Sequence, residues 1–153
     1  RELLAADDVD VLDHVAGYVL VNDLSEREDQ LERGGTWDKG KGHDGFGPVG
    51  PWLVTRDELG EADNLAMVLS VNGIIRQDGN TSNMIFGVRQ IVSYVSLFMT
   101  LEPGDIIPTA TPAGVGAGMN PEPLFLKAGD RLRLSIEGLG EQRHRIVANP
   151  RQA

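Results

Sequence analysis

Hydrophobic and polar positions change period several times along this chain, and each change marks a structural boundary. Leu65, Met67, Leu69 and Val71 alternate with Ala66, Val68 and Ser70, the two-residue period of a strand buried mainly on one face. Asn72-Gly73 follows at once, a two-residue hairpin signal that returns the chain as a second strand over 74–77. Residues 78–82, Asp-Gly-Asn-Thr-Ser, read as polar loop. Val88, Ile91, Val92, Val95, Phe98 and Met99 then recur at helical spacing, which predicts a helix over 87–100 with that stripe in the core. Leu132, Leu134 and Ile136 alternate with Arg131, Arg133 and Ser135 in a further strand, and Gly138-Leu-Gly140 turns into a last one reaching Val147. Apolar runs at 52–55 and 105–109 read as shorter strands, 56–64 as a charged loop, 7–14 as a short helix and the tail after Pro150 as frayed. Leu101-Glu-Pro-Gly-Asp105 and Leu126-Lys-Ala-Gly-Asp130 share one turn chemistry, each ahead of a strand. Strands that do not alternate regularly with helices, plus one long helix, point to α+β.

One stretch concentrates polar chemistry. A short apolar strand over 18–21 runs into Asn22-Asp23 and then a helix. Ser25 followed by Glu28 matches a capping box, in which the hydroxyl takes a free backbone N–H and the glutamate reaches back. Gly34-Gly35 supplies the stop. Asp23, Arg27 and Gln30 are spaced by four and three, so a helix starting near Ser25 projects all three from one side. A Gly-rich loop bearing Lys41, His43 and Asp44 comes next, and strand ends followed by polar loops are where sites are built.

Composition narrows the field. At 153 residues the chain makes one domain with a real core. Nineteen glycines and eight prolines suggest a turn-rich fold with much β-structure. A net charge of −9 without a basic cluster argues against a general nucleic-acid surface, although a local Arg and Lys can still attract an anion. There are no cysteines, which excludes disulfides and thiol catalysis and fits a cytoplasmic protein. No apolar run approaches the roughly 20 residues that span a bilayer, and no signal peptide pattern is present. The opening RELLAADD has no initiator Met and reads as the C-terminal portion of a longer polypeptide.

Four phrases carry a further signal: VNDLSEREDQ, WDKGKGHDGFGPVGPWLVT, RQDGNTSNMIF and FMTLEPGDIIPTATPAGVG. In that order and spacing they resemble the fumarylacetoacetate hydrolase family across essentially the whole chain. The resemblance implies a mixed β-sandwich roll with few helices, in a homodimer, with residues 1–153 as a catalytic domain incomplete at its N-terminus. It also implies a divalent metal, Mg2+ or Mn2+, and a small 2-oxo or diketo acid substrate. The implied activity is hydrolysis of a C–C bond in acylpyruvate-type or 2,4-diketo acids through a metal-stabilised enolate. Decarboxylation of oxaloacetate, isomerisation of an unsaturated 2-oxo diacid, or a non-catalytic domain that kept the fold are the alternatives.

Residue by residue, the family's D-x-S-x-R-x-x-Q motif stands here as Asp23, Ser25, Arg27 and Gln30. The resemblance makes Asp23 a metal ligand, and Arg27 and Gln30 substrate-contacting groups, Arg27 with a catalytic part. Lys41 matches the family's lysine, whose charge holds a developing oxyanion. Thr111 matches the substrate-binding threonine. Two positions depart from the pattern: Gly45 replaces a threonine and Ala110 a glycine. The family's Glu-x-Glu metal pair and its catalytic histidine have no counterpart before Asp23 in this sequence.

Overall fold

The computed structural model describes residues 11–109 and 111–148. Asn72 and Gly73 have φ of 52° and 82°, the two left-handed residues that a tight hairpin turn needs. They join β3 (Ala66–Val71) to β4 (Ile74–Asn80). The expected return strand is therefore longer than 74–77, because Asp78, Gly79 and Asn80 continue the pairing opposite Val68, Met67 and Ala66. β5 (Arg131–Ile136) pairs with the other edge of β3 and with β6 (Gly140–Arg145), giving the order β4-β3-β5-β6 with every pairing antiparallel. A second sheet has two short strands, β1 (Gly17–Tyr18) and β2 (Val54–Thr55). Antiparallel sheets with few helices fit the α+β class that the strand and helix pattern predicts and the roll with few helices that the resemblance implies.

Leu20, Val54, Leu134 and Leu139 form the buried cluster between the two sheets, with Tyr18, Leu59, Leu69 and Ile136 packed against it. Gln142 of β6 makes the polar tie. It is buried, and its amide nitrogen donates to the carbonyls of Leu20 at 2.8 Å and Gly50 at 2.7 Å. The Leu20 carbonyl also accepts from Gly50 N–H at 3.0 Å, so this one side chain ties the 20–22 segment and the turn at Gly50 together onto the large sheet. The backbone continues the tie: Val21 bridges Val49, and Asn22 N–H donates to Pro48 O at 3.1 Å. The expected strand over 18–21 is thus β1 plus an isolated bridge.

The two D-turns form as the sequence implies. Asp105 accepts from Glu102 N–H at 2.8 Å, and Asp130 accepts from Lys127 N–H at 2.7 Å. Residues 105–109, however, are not a strand, since no neighbouring strand offers them a ladder among the described residues. The 52–55 run is a strand only at Val54–Thr55, and the charged loop opens with a short helix, α3 (Arg56–Leu59). Of the helix expected over 7–14, Val11–His14 is a 3-10 turn, and its first residues, like Ala110 and the tail after Pro150, lie outside the described residues.

The long helix is α4 (Val88–Phe98). Its stripe is only partly core: Val92 is buried together with Ser93 and Ser96, while Tyr94, Leu97, Phe98 and Met99 face outward. The helix buries a narrow small-residue seam because little of the described chain lies against its broad apolar side. Among the described residues no helix is long and apolar enough to cross a membrane.

Candidate active site

The site region is a pair of short helices, α1 (Arg27–Leu31) and α2 (Trp37–Lys41), hung from the Asn22–Pro48 bond. The Ser25–Glu28 capping box is not formed. Helix α1 starts two residues later than Ser25, with Glu26 as N-cap, and the Glu26 carboxylate accepts from Asp29 N–H at 2.5 Å. Ser25 Oγ turns back to donate to Asp23 O at 3.3 Å. The longer glutamate side chain reaches the first-turn N–H that the serine was expected to take. Glu26→Ala should therefore cost about 1 kcal/mol of stability, within the range for a lost cap, whereas Ser25→Ala should cost less than about 0.5 kcal/mol. Urea unfolding of both variants checks this; a larger loss for Ser25→Ala would return the cap to Ser25.

Residues 37–41, expected as Gly-rich loop, are helical, and Lys41 is their last residue. Gly40 explains why. It is buried, and a Cβ placed on it would stand 2.4 Å from Gln30 Cβ and 2.6 Å from Glu26 O. The two helices touch backbone to side chain there, and Glu26 N–H donates to Gly40 O at 2.9 Å. Only glycine permits this approach. Gly40→Ala should destabilise the fold by about 1–3 kcal/mol through overpacking, read as a lowered urea midpoint; an unchanged midpoint would show the contact to be slack.

That contact sets where Lys41 points. Its Nζ lies 2.5 Å from Asp23 Oδ2 and 6.0 Å from the centre of the Trp37 ring. The pair is partly open, with side-chain exposures of 26% for Lys41 and 46% for Asp23. On α1, Arg27 donates to Gln30 Oε1 at 2.6 Å. Gln30 is 1% exposed, and its amide nitrogen has no acceptor among the described residues. The expected single helical face of Asp23, Arg27 and Gln30 does not exist as such: Asp23 precedes the helix, and Gln30 is buried behind Arg27.

Asp23, Arg27 and Thr111 all border one broad groove, while Lys41 and Gln30 lie outside its lining. The groove follows much of the chain, so a shared border does not by itself bring Thr111 to Asp23. What holds Thr111 is clear. Gln77 Nε2 donates to Pro112 O at 2.9 Å, and Gly114, at φ 105°, lets its loop approach β4 so closely that an added Cβ would collide with Arg76 O. Gly45 has φ of 80°, a conformation in which a threonine would be strained.

A cluster that sequence reasoning missed lies beside Arg27. His43 Nε2 is 3.1 Å from Asp29 Oδ2, and one ligand atom from each of Glu26, Asp29 and His43 lies within 4.8 Å of the others. Among the described residues, no comparable group of three or more includes Asp23. As a ligand Asp23 offers the hard oxygen that Mg2+ or Mn2+ takes, but one carboxylate supplies a fraction of the about six ligands that such an ion needs. The Glu26–Asp29 spacing of three was the signal available.

Known proteins share this fold. The chain is 40% identical to a fumarylacetoacetate hydrolase of Exiguobacterium antarcticum, with a TM-score of 0.88 over 97% of this chain and 52% of that one. A 2-hydroxyhepta-2,4-diene-1,7-dioate isomerase of Mycobacterium marinum is 40% identical, with a TM-score of 0.82 over 97% and 54%. A maleylpyruvate hydrolase of Sphingobium is 35% identical, with a TM-score of 0.79 over 97% and 49%. The chain spans about half the length of the curated relatives it matches; the first is 60% identical over 139 residues, 91% of this chain and 49% of the relative. The model of the fumarylacetoacetate hydrolase C-terminal region matches residues 2–147, and the chain belongs to the fumarylacetoacetate hydrolase family.

Proposed function

We propose that the protein is a divalent-metal-dependent hydrolase of acylpyruvate-type 2,4-diketo acids. The observation that carries this reading is the Asp23–Lys41 pair at 2.5 Å, with Asp23 and Arg27 bordering one groove. The maleylpyruvate hydrolase among the similar structures supports the substrate class. In the reaction, water adds to the acyl carbonyl and the bond from that carbon to the adjoining CH2 breaks. The acyl half leaves as a carboxylate, the other half takes a proton on carbon to become pyruvate, and one proton is released.

A bound Mg2+ or Mn2+ would polarise the 2-oxo acid oxygens. Asp23 would contribute one oxygen ligand to it, with water and substrate taking further positions. Arg27 has guanidinium N–H groups left over after its bond to Gln30, and these suit the substrate carboxylate. Gln30, buried behind Arg27, accepts from the guanidinium and fixes its plane. The Lys41 ammonium is assigned to stabilise negative charge on the departing pyruvate half. Thr111 is assigned to a substrate oxygen from the loop held on β4.

Isomerisation is the second reading, favoured by the similarity to a 2-hydroxyhepta-2,4-diene-1,7-dioate isomerase, because charge stabilisation at Lys41 serves proton transfer as well as C–C cleavage. Incubating the protein and Mg2+ with acetylpyruvate, oxaloacetate and an unsaturated 2-oxo diacid, with products followed by NMR, separates the readings. Hydrolysis predicts equal acetate and pyruvate from the first. Carbon dioxide from the second or a shifted double bond in the third, without acetate, assigns the other activities; no change in any assigns a non-catalytic domain. We also read the protein as a homodimer, with the outward apolar side of α4 in support, and sedimentation at micromolar concentration tests that assignment.

A further inference from the structure

Glu26 and Asp29 stand one turn apart at the start of α1, and His43 reaches them from the segment after α2. Two carboxylates at this spacing repel one another, and the positive charge that offsets them is weakly held. Arg33 NH1 is 3.6 Å from Asp29 Oδ1, on a side chain 57% exposed. A pair that open contributes little and yields to a stronger cation. Glu26 spends Oε2 on the Asp29 N–H, which leaves its second oxygen. Asp29 and His43 already face each other at 3.1 Å, and the three residues are half-buried, sheltered enough to limit competition from water.

We propose that Glu26, Asp29 and His43 form a second cation site, separate from Asp23, that takes a borderline divalent ion such as Zn2+. The imidazole decides the class of ion. Nitrogen with carboxylate oxygen suits Zn2+ and its neighbours, whereas Mg2+ takes oxygen. Zn–N and Zn–O bonds are each about 2.0–2.2 Å, so the ion enters along the present His43–Asp29 hydrogen bond after only a slight widening. Binding replaces the His43–Asp29 hydrogen bond with a bond from Nε2 to the ion, the ring N–H standing on Nδ1, and the Arg33 contact gives way. The bound ion would clip α1 to the segment directly after Lys41.

The site is independent of the reaction assigned above, and its test needs no substrate. Zn2+ alone is titrated into the protein, with calorimetry for affinity and NMR for the imidazoles. The chain has three histidines, and His14 and His144 lie on other elements, so the His43 signals are separable. Wild type should bind Zn2+ with the His43 resonances shifting, and Asp23→Ala should show the same His43 shift at the same Zn2+ concentration. His43→Ala and Asp29→Asn should each weaken it about tenfold or more, and Mg2+ at equal concentration should not displace it. His43 resonances unmoved by saturating Zn2+ would overturn the site without touching the Asp23 reading. So would wild-type Zn2+ affinity in both variants.

Discussion

Lys41→Ala should lower kcat on an acylpyruvate by about 10²–10³, the usual loss when one fixed donor to a developing oxyanion is removed. The lysine ends α2 and is aimed by two constraints. Gly40, one residue before it, locks α2 against Gln30 and Glu26, and the Asp23 carboxylate holds its ammonium at 2.5 Å. The charge is thus placed before substrate arrives, and its benefit falls mainly on the transition state. KM should change far less than kcat. Stability should change by no more than about 1 kcal/mol, because the ion pair is partly exposed. Lys41→Arg should recover little, since a planar fork cannot replace a compact ammonium against one carboxylate oxygen. Steady-state rates with urea unfolding check all three outcomes, and an unchanged kcat for Lys41→Ala removes the lysine from the chemistry.

Asp23→Ala should reduce turnover to the limit of detection at any Mg2+ concentration. It removes the one carboxylate assigned to the ion and leaves the partly buried Lys41 ammonium unpaired. A second positive centre without a counter-charge then repels the incoming cation. Asp23→Asn keeps the shape but not the charge, and should be nearly as impaired. Neither change touches the buried cluster of Leu20, Val54, Leu134 and Leu139, so both variants should keep the wild-type circular dichroism spectrum. Detectable Mg2+-stimulated turnover in both would place the ion elsewhere.

The hairpin at Asn72-Gly73 and the turns at Asp105 and Asp130 were legible because each rests on chemistry contained within a few residues. Features that depend on a distant partner were not. Helix α2 has a glycine at its penultimate position and poor intrinsic propensity; it forms because Gly40 fits against α1, which no local pattern reveals. The N-cap is Glu26, whose longer side chain reaches the Asp29 N–H, and the commoner serine signal one residue earlier masks it in the sequence. The 105–109 run has strand-like residues but no ladder partner, and Phe98 and Met99 follow the helical period yet face outward. The site divides in the same way. The Asp23–Lys41 pair spans 18 positions and was suggested only by family resemblance, and Gln142, which carries the Leu20 and Gly50 segments, stands 122 and 92 positions from them. A periodicity reading sees Gln142 only as a polar position on an outer strand.

Magnesium affinity, measured by calorimetry on wild type, Asp23→Ala and Lys41→Ala, tests the central assignment most directly. Mg2+ is the right probe because it disfavours the imidazole of the Glu26–Asp29–His43 cluster. Wild type and Lys41→Ala should bind Mg2+ with comparable affinity, while Asp23→Ala should bind it too weakly to saturate. Wild-type Mg2+ affinity in Asp23→Ala would contradict the account, and so would loss of binding in Lys41→Ala alone.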